Sequence, residues 1–208
     1  TKRLKLRKLR EDDYDQWLPL FRQQGVARFL GLEHLPTPEE QCSLWFERSF
    51  KRYNENLGGM NVLIDKETGN LVGQSGLLVQ NVDDQERLEV GYSILPQYWQ
   101  KGYATEAARK CRDYAFENDY TESLISIIHI ENVNSIKVAE NNGMSFSHET
   151  IFKNTAVKIY RITKEEWCKL IKREAILRSP LFYCKNSFEF LKNRFRLFLH
   201  HTIKSIFV

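Results

Sequence analysis

Residues 3–9 alternate charged side chains with Leu4, Leu6 and Leu9, close to the period of two that a half-buried strand requires. Glu11, Asp12 and Asp13 then supply acidic capping residues, which predicts a helix through about Gln23. Pro36-Thr37-Pro38-Glu39-Glu40 opens a second helix. Its Cys42, Trp45, Phe46, Phe50 and Tyr53 recur at helical spacing, and Gly58-Gly59 is expected to end it. Three strands follow in the pattern, 60–65, 71–80 and 86–95, joined by 66–70 and 81–85 into a meander.

Beyond the meander, residues 103–117 place Ala104, Ala107, Ala108, Cys111, Tyr114 and Ala115 on one helical side, with Arg109, Lys110, Arg112 and Asp113 elsewhere. The β-branched run 124–130 is short enough for a buried strand. A brief helix from about 134 to 142 follows, closed by Gly143. Residues 146–152 and 156–162 then form a closing hairpin across Lys153-Asn154-Thr155. This succession predicts an α/β (α+β) domain, and periodicity alone goes no further.

Composition narrows the class. At 208 residues and 42% hydrophobic side chains, the chain can bury one sizeable core plus an appendage. Cys42, Cys111, Cys168 and Cys184 are widely spaced without a CxxC pair, so neither a zinc site nor a disulfide framework is indicated, and no metal is expected. With no apolar run approaching the ~20 residues of a membrane span, the expectation is a soluble, cytoplasmic protein. The net charge of +4 is unevenly distributed. Residues 168–208 hold nine Lys/Arg against two Asp/Glu, or +7, whereas residues 1–167 hold 22 against 25, or −3. Two segments are therefore expected, a domain over 1–167 and a basic amphipathic helical extension over 168–208.

The chemistry concentrates in Leu95-Pro96-Gln97-Tyr98-Trp99-Gln100-Lys101-Gly102-Tyr103-Ala104, a strand end followed by one glycine and a helix start. A loop feeding directly into a helix presents unpaired N–H groups and the positive end of the helix dipole, a phosphate site that needs no cationic side chain. A Gly-x-Ala turn is common by itself. With Glu89-Val90-Gly91-Tyr92 before it, and Asn132-Val133-Asn134-Ser135 and Glu140-Asn141-Asn142-Gly143 after it, the run resembles the GCN5-related N-acetyltransferases (GNAT). Within them it is most similar to the ribosomal-protein-alanine N-acetyltransferase-like (RimJ/RimL-type) branch, over roughly residues 2–167.

The resemblance implies a mixed central sheet of about seven strands flanked by helices. It implies acetyl-CoA as co-substrate and direct transfer of acetyl to a primary amine within a ternary complex. The family's phosphate loop, Gln/Arg-x-x-Gly-x-Gly/Ala, falls on Trp99, Gln100, Lys101, Gly102, Tyr103 and Ala104. Gly102 and Ala104 match, whereas Trp99 departs from the pattern and Gln100 stands where the branch has a second glycine. Backbone from Trp99 to Thr105 is expected to hold the pyrophosphate, and Tyr92, Ser93 and Ile94 the pantetheine and thioester. Gly91 is expected to bulge and free an N–H for the thioester carbonyl. Glu89 is the candidate general base, against a solvated glutamate balanced by Arg87. Asn132 and Ser135 match the family's Asn-x-x-Ser as pantetheine contacts, against plain helix capping. The tyrosine that many relatives use to protonate the thiolate is replaced by Ala139, which leaves Ser135, Tyr160 or water for that task.

The acceptor implied by the branch is a protein N-terminal α-amine. Alternatives are a polyamine or aminoglycoside, or a catalytically weak acetyl-CoA-binding module with a partner-binding tail. His129 reads as a core histidine, and His200-His201 lacks metal-ligand spacing. The stripe Trp45, Phe46, Phe50, Tyr53 reads as core more than as substrate pocket. After Pro180, Phe188, Leu191, Phe195, Leu199 and Ile203 recur at helical spacing among basic residues. That arm packs on its own domain or on a second subunit of a homodimer, or meets a membrane surface or RNA, and these readings stay open.

Overall fold

The computed structural model describes residues 1–178, so the tail pattern from Phe188 to Ile203 lies outside the described residues. Residues 1–167 form one compact unit. At its centre is a seven-stranded sheet in the order β1-β2-β3-β4-β5-β7-β6. The strands are β1 (Leu4–Lys8), β2 (Gly58–Asp65), β3 (Leu71–Val82), β4 (Gln85–Ile94), β5 (Ser123–His129), β6 (Ser145–Phe152) and β7 (Thr155–Thr163). Neighbours are antiparallel except β4 and β5, which run parallel. The helices are α1 (Tyr14–Trp17), α2 (Val26–Phe29), α3 (Pro38–Asn54), α4 (Tyr103–Glu117), α5 (Val133–Asn141) and α6 (Lys164–Arg178). This is the mixed, helix-flanked sheet expected from the resemblance.

The largest departure from the sequence pattern is the first helix. In place of one element through Gln23 there is a 3-10 turn (Glu11–Asp13), α1, and a second 3-10 turn (Leu18–Leu20). Pro19 has no N–H to continue an α-helix, and its ring crowds the preceding turn. Burial holds these short pieces in place. Trp17, Leu20 and Phe21 pack with Cys42 and Phe46 of α3 against Val62 of β2. The aromatic stripe on α3 belongs to this core, as expected, with Phe46 buried and Trp45, Phe50 and Tyr53 partly so. α3 starts on a capping box in which Glu40 N–H donates to Thr37 Oγ1 and Thr37 N–H to Glu40 Oε2. It stops at Asn54, before Gly58-Gly59, which belongs to β2.

On the opposite sheet face, Leu4, Leu63, Val72 and Ile94 pack with Ala107 of α4. Arg112 departs from the amphipathic reading, which placed it away from the packed side. It is 1% exposed, donates to Asn142 O at 2.6 Å beyond the end of α5, and pairs with Asp113. Asp113 Oδ1 also accepts from Trp167 Nε1 at 2.8 Å, and the Trp167 ring lies 5.4 Å from that of Phe116. One guanidinium thus joins α4, the end of α5 and the start of α6.

The β3–β4 hairpin turns through Asp83 and Asp84, both with positive φ. Asp83 accepts from Thr150 Oγ1 at 2.6 Å and lies 2.8 Å from His148 Nε2, which fastens the hairpin tip to β6. Beneath it, Val82 packs with Ile125, Val157 and Ile159. Among the described residues, no helix is long and apolar enough to cross a membrane.

Arg112→Ala would leave Asn142 O and Asp113 without their cation in a closed interior. A loss of about 3 kcal/mol in unfolding free energy by urea denaturation is expected, whereas a loss of only about 0.5 kcal/mol, as at a solvated surface site, would contradict this role.

Candidate functional site

β4 and β5 pair at only two positions, Leu88↔Leu124 and Glu89↔Ile125, and then part. Leu95 N–H bonds Val72 O on the β3 side, so in extended backbone the alternate residues Val90, Tyr92 and Ile94 turn their N–H and C=O groups toward the opening. Two of these carbonyls are covered by side chains. Ser126 Oγ donates to Val90 O at 2.9 Å, and Trp99 Nε1 donates to Ile94 O at 2.6 Å. Tyr92 keeps both of its backbone groups facing the gap. An extended amide-bearing chain laid in this opening would find strand-like partners.

The expected bulge at Gly91 is absent. Gly91 pairs with Gly76 in an unbroken β3–β4 register, and the expected splaying of β4 from β5 occurs without a bulge. A Cβ there would meet Met60 Sδ and Leu78 Cδ1 at 3.0 Å, the ends of two side chains that would have to shift by a few tenths of an ångström.

At the far end of β4, the loop enters α4 with Gln100 at φ 59° and Gly102 at φ 77°. The first intrahelical bond is Glu106 N–H to Gly102 O. The N–H groups of Gly102, Tyr103, Ala104 and Thr105 therefore converge without acceptors among the described residues, as a helix start dictates. Gln100 pays the left-handed penalty that a glycine avoids, about 1 kcal/mol.

The cradle is braced by residues distant in sequence. Arg3 donates to Lys101 O at 2.9 Å, pairs with Glu106 at 2.6 Å, and stacks 4.3 Å from the centre of the Tyr103 ring. Tyr103 OH donates to Asp65 Oδ2 at 2.7 Å, which lowers the Asp65 carboxyl below its ordinary value. Burial raises Glu106, but hydrogen bonds from Thr1 and Arg3 outweigh it and leave the group lowered. Unpaired N–H groups, αL backbone and the open strand edge suit the diphosphate and amide chain of acetyl-CoA.

Glu89 stands where β4 and β5 part. An edge of the residue reaches solvent, yet its carboxylate lies deep among protein atoms, and this burial raises it above the ordinary glutamate value. Opposing that rise are a 2.7 Å hydrogen bond from Gln80 Nε2, the charges of Arg52 and Lys153, and the Ile127 N–H. Arg87 is not its partner, since that side chain turns to Gln85.

Asn132 Oδ1 accepts from Ser135 N–H at 3.1 Å and caps α5. Tyr92 OH donates to Ser135 O at 2.8 Å, which holds the start of α5 against β4. The Ser135 hydroxyl itself has no partner among the described residues. Ala139 is fully buried, and Tyr160 packs on Phe146 near Glu140. His129 is a satisfied core histidine whose Nδ1 accepts from Glu131 N–H at 3.1 Å. Among the described residues, no His/Cys/Asp/Glu group has metal-binding geometry.

Sequence reading missed Arg3, Asp65, Gln80 and Arg52. The sequence carries no local signal for them, because each meets the site across the sheet. A hollow of about 800 Å³ beside α4, lined by Leu6, Asn61, Leu77, Cys111 and Tyr114 among others, touches none of the expected site residues.

YkkB of Bacillus subtilis (strain 168) is 38% identical over 117 residues, 56% of this chain and 66% of that protein. The uncharacterized N-acetyltransferase p20 of Bacillus licheniformis is 28% identical over 176 residues, 84% of this chain and 96% of that protein. An acetyltransferase structure from Agrobacterium tumefaciens str. C58 superposes with TM-score 0.64 at 24% identity, covering 78% of this chain and 91% of that one. Spermidine N-acetyltransferase from Vibrio cholerae, with CoA and spermine, gives 0.62 at 19% over 81% and 99%. The ribosomal L7/L12 α-N-protein acetyltransferase RimL, with coenzyme A, gives 0.61 at 11% over 78% and 95%. At these identities the structures show the fold. The family model described as an acetyltransferase (GNAT) domain matches residues 3–145, across the parted strands, the cradle and the capped α5, and the chain belongs to that family.

Proposed function

We propose that the protein is an N-acetyltransferase that moves the acetyl group of acetyl-CoA directly onto a primary amine. The observation that carries this reading is the placement of one buried, raised carboxylate, Glu89, where β4 and β5 part. Backbone N–H groups of Gly102 to Thr105 hold the pyrophosphate, with Trp99, Gln100 and Lys101 shaping the loop. Tyr92, Ser93 and Ile94 offer the strand edge to the pantetheine arm, beside Asn132 and Ser135. Acetyl-CoA supplies the activated acyl group when bound.

Glu89 accepts the proton of the ammonium, directly or through one water. A carboxylate raised by burial is a better base than a solvated one, while Gln80 fixes which oxygen is turned to the acceptor. The unpartnered Ser135 hydroxyl, or solvent, returns a proton to the departing thiolate. No tyrosine is required, because a thiol of ordinary pKa near 8.5 is an acceptable leaving group.

For the acceptor we propose an N-terminal α-amine, the class named for RimL among the fold neighbours. With a reference value near 8 against 10.4 for lysine, an α-amine is easier to deprotonate by about 3 kcal/mol. The spermidine enzyme among the neighbours represents the competing, polycationic class.

Glu89→Gln should lower kcat/KM roughly 10²–10⁴-fold and remove the acidic limb of the pH–rate profile, with acetyl-CoA affinity retained in calorimetry. Because the folded-state value lies above the unfolded one, ionising Glu89 costs stability as pH rises between them. The glutamine variant should therefore be at least as stable as wild type at pH 8, and an unchanged acidic limb would remove Glu89 as the base. In the cradle, Gly102→Ala forces an L side chain into positive φ and should weaken acetyl-CoA about tenfold. Gln100→Gly relieves the same strain and should bind no more weakly than wild type, so a tenfold loss there would show that the glutamine side chain contributes to binding.

A further inference from the structure

The hollow beside α4 lies apart from the candidate site and has a chemistry of its own. Its volume of about 800 Å³ falls in the ~300–1,000 Å³ range of small-molecule pockets, and every lining residue among those described belongs to residues 1–120. The lining follows β1 from Leu4 to Lys8, about 13 Å of strand, so the hollow is a trough. Its floor is apolar, made by Leu6 of β1, Leu77 of β3 and Cys111 of α4. Burial raises the Cys111 thiol, which therefore stays neutral. One wall is the tyrosine pair Tyr114 and Tyr120, with ring centres 5.7 Å apart and the rings nearly perpendicular. The two are 46% and 56% exposed, which leaves their apolar surface open to an occupant.

The charge around this trough has one sign. Lys5, Lys8, Arg52, Lys66 and Lys110 line it, and among the described residues no Asp or Glu does. Their own contacts leave that charge largely unanswered. Lys66 Nζ donates to Thr1 O at 2.6 Å, Arg52 Nη2 donates to Leu57 O and Val79 O, and Lys8 Nζ lies 5.3 Å from the centre of the Tyr53 ring. Carbonyls and a ring carry no net charge. Lys110 meets a carboxylate, that of Glu117 at 3.8 Å, in a pair about half exposed on both sides. A basic rim over an apolar floor excludes two classes of ligand. A polyamine would be repelled by the rim, and a small inorganic anion would gain nothing from the floor. A hydrocarbon body with one anionic head satisfies both, because lysine stems extend the apolar surface while their ammonium groups stay in water. The concave shape accepts a single chain, whereas a bilayer surface is flat on this scale.

We propose that the trough binds a free fatty acid, its hydrocarbon chain laid along Leu6, Leu77 and Cys111 and its carboxylate held at the basic rim. This site is separate from the one assigned to acetyl-CoA and does not rest on the transferase reading.

The test is calorimetric titration of the full chain with decanoate, decylamine and butanoate, below the micellar range of each, with and without saturating coenzyme A. Decanoate is expected to bind at least about tenfold more tightly than decylamine, which has the same chain and the opposite charge. It should exceed butanoate, which has the same head and little chain, by at least about tenfold as well. Rising ionic strength should narrow the first ratio and leave the second unchanged. Lys8→Glu with Lys110→Glu, at two exposed positions, should bring the decanoate to decylamine ratio to one or invert it. Tyr114→Glu should weaken decanoate roughly tenfold by placing an acid in the wall. Ratios taken within one protein are insensitive to partial loss of folded chain. Equal binding of decanoate and decylamine, equal binding of decanoate and butanoate, displacement of decanoate by coenzyme A, or a ratio that survives the paired charge reversal would overturn the inference. So would the absence of decanoate binding by a chain that still binds coenzyme A.

Discussion

The rest of the site depends on the brevity of the parallel pairing between β4 and β5. Two residue pairs hold these strands together, and everything beyond them is an edge in the middle of a sheet. Such an edge is costly to leave unpaired and prone to unwanted pairing. Here it is partly covered from within, by Ser126 on Val90 O and the Trp99 indole on Ile94 O. The antiparallel neighbours keep the opening fixed in place. β3 pairs with β4 through ten consecutive positions, and β7 pairs with β5 through seven, so each wall of the gap is rigid on its far side. Glu89 lies at the last joined position, where a carboxylate is deep enough to be perturbed and near enough to the opening to act.

The elements that place these groups were largely legible in the sequence. α4 has the bounds that its alanine stripe and Gly102 predict, and the capped start of α5 follows from Asn132 and Ser135. Legibility failed where a distant contact overrode a local pattern. The helix expected through Gln23 broke at Pro19 because buried Trp17 and Leu20 compensate short, poorly bonded turns. Arg112 read as a solvated charge, but Asn142 O and Asp113 draw it inside. In the site itself, Glu89 and the cradle were marked by local motif, whereas Gln80, Arg52 and Lys153 were not. Gln80 reaches Glu89 from the neighbouring strand β3, and Arg52 of α3 meets that strand at Val79 O, contacts that no spacing in one dimension encodes. Gly91 shows the reverse case. It predicts a bulge, yet the β3–β4 register runs through it unbroken.

Stability and activity pull against each other at two points. The αL conformation of Gln100 and the buried carboxylate of Glu89 both raise the energy of the folded chain, and both lie in the candidate site. The aromatic core over α3 and the Arg112 junction lie elsewhere and offset that cost. Local expense at the site is thus sustained by packing remote from it.

The brace from Arg3 to Lys101 O and Glu106 carries a kinetic consequence. Helix α4 and the loop before it are contiguous and can form early, but the groups that hold the loop in its anion-receiving shape are about a hundred residues away along the chain. Closing so long a loop is among the slower steps of assembly. The cradle therefore matures only when β1 has docked against β2, and tight nucleotide binding at the cradle, as proposed above, would be a late event in folding. Capture of coenzyme A by a refolding chain would report the completion of the sheet's outer edge, which secondary-structure signals register too early to resolve.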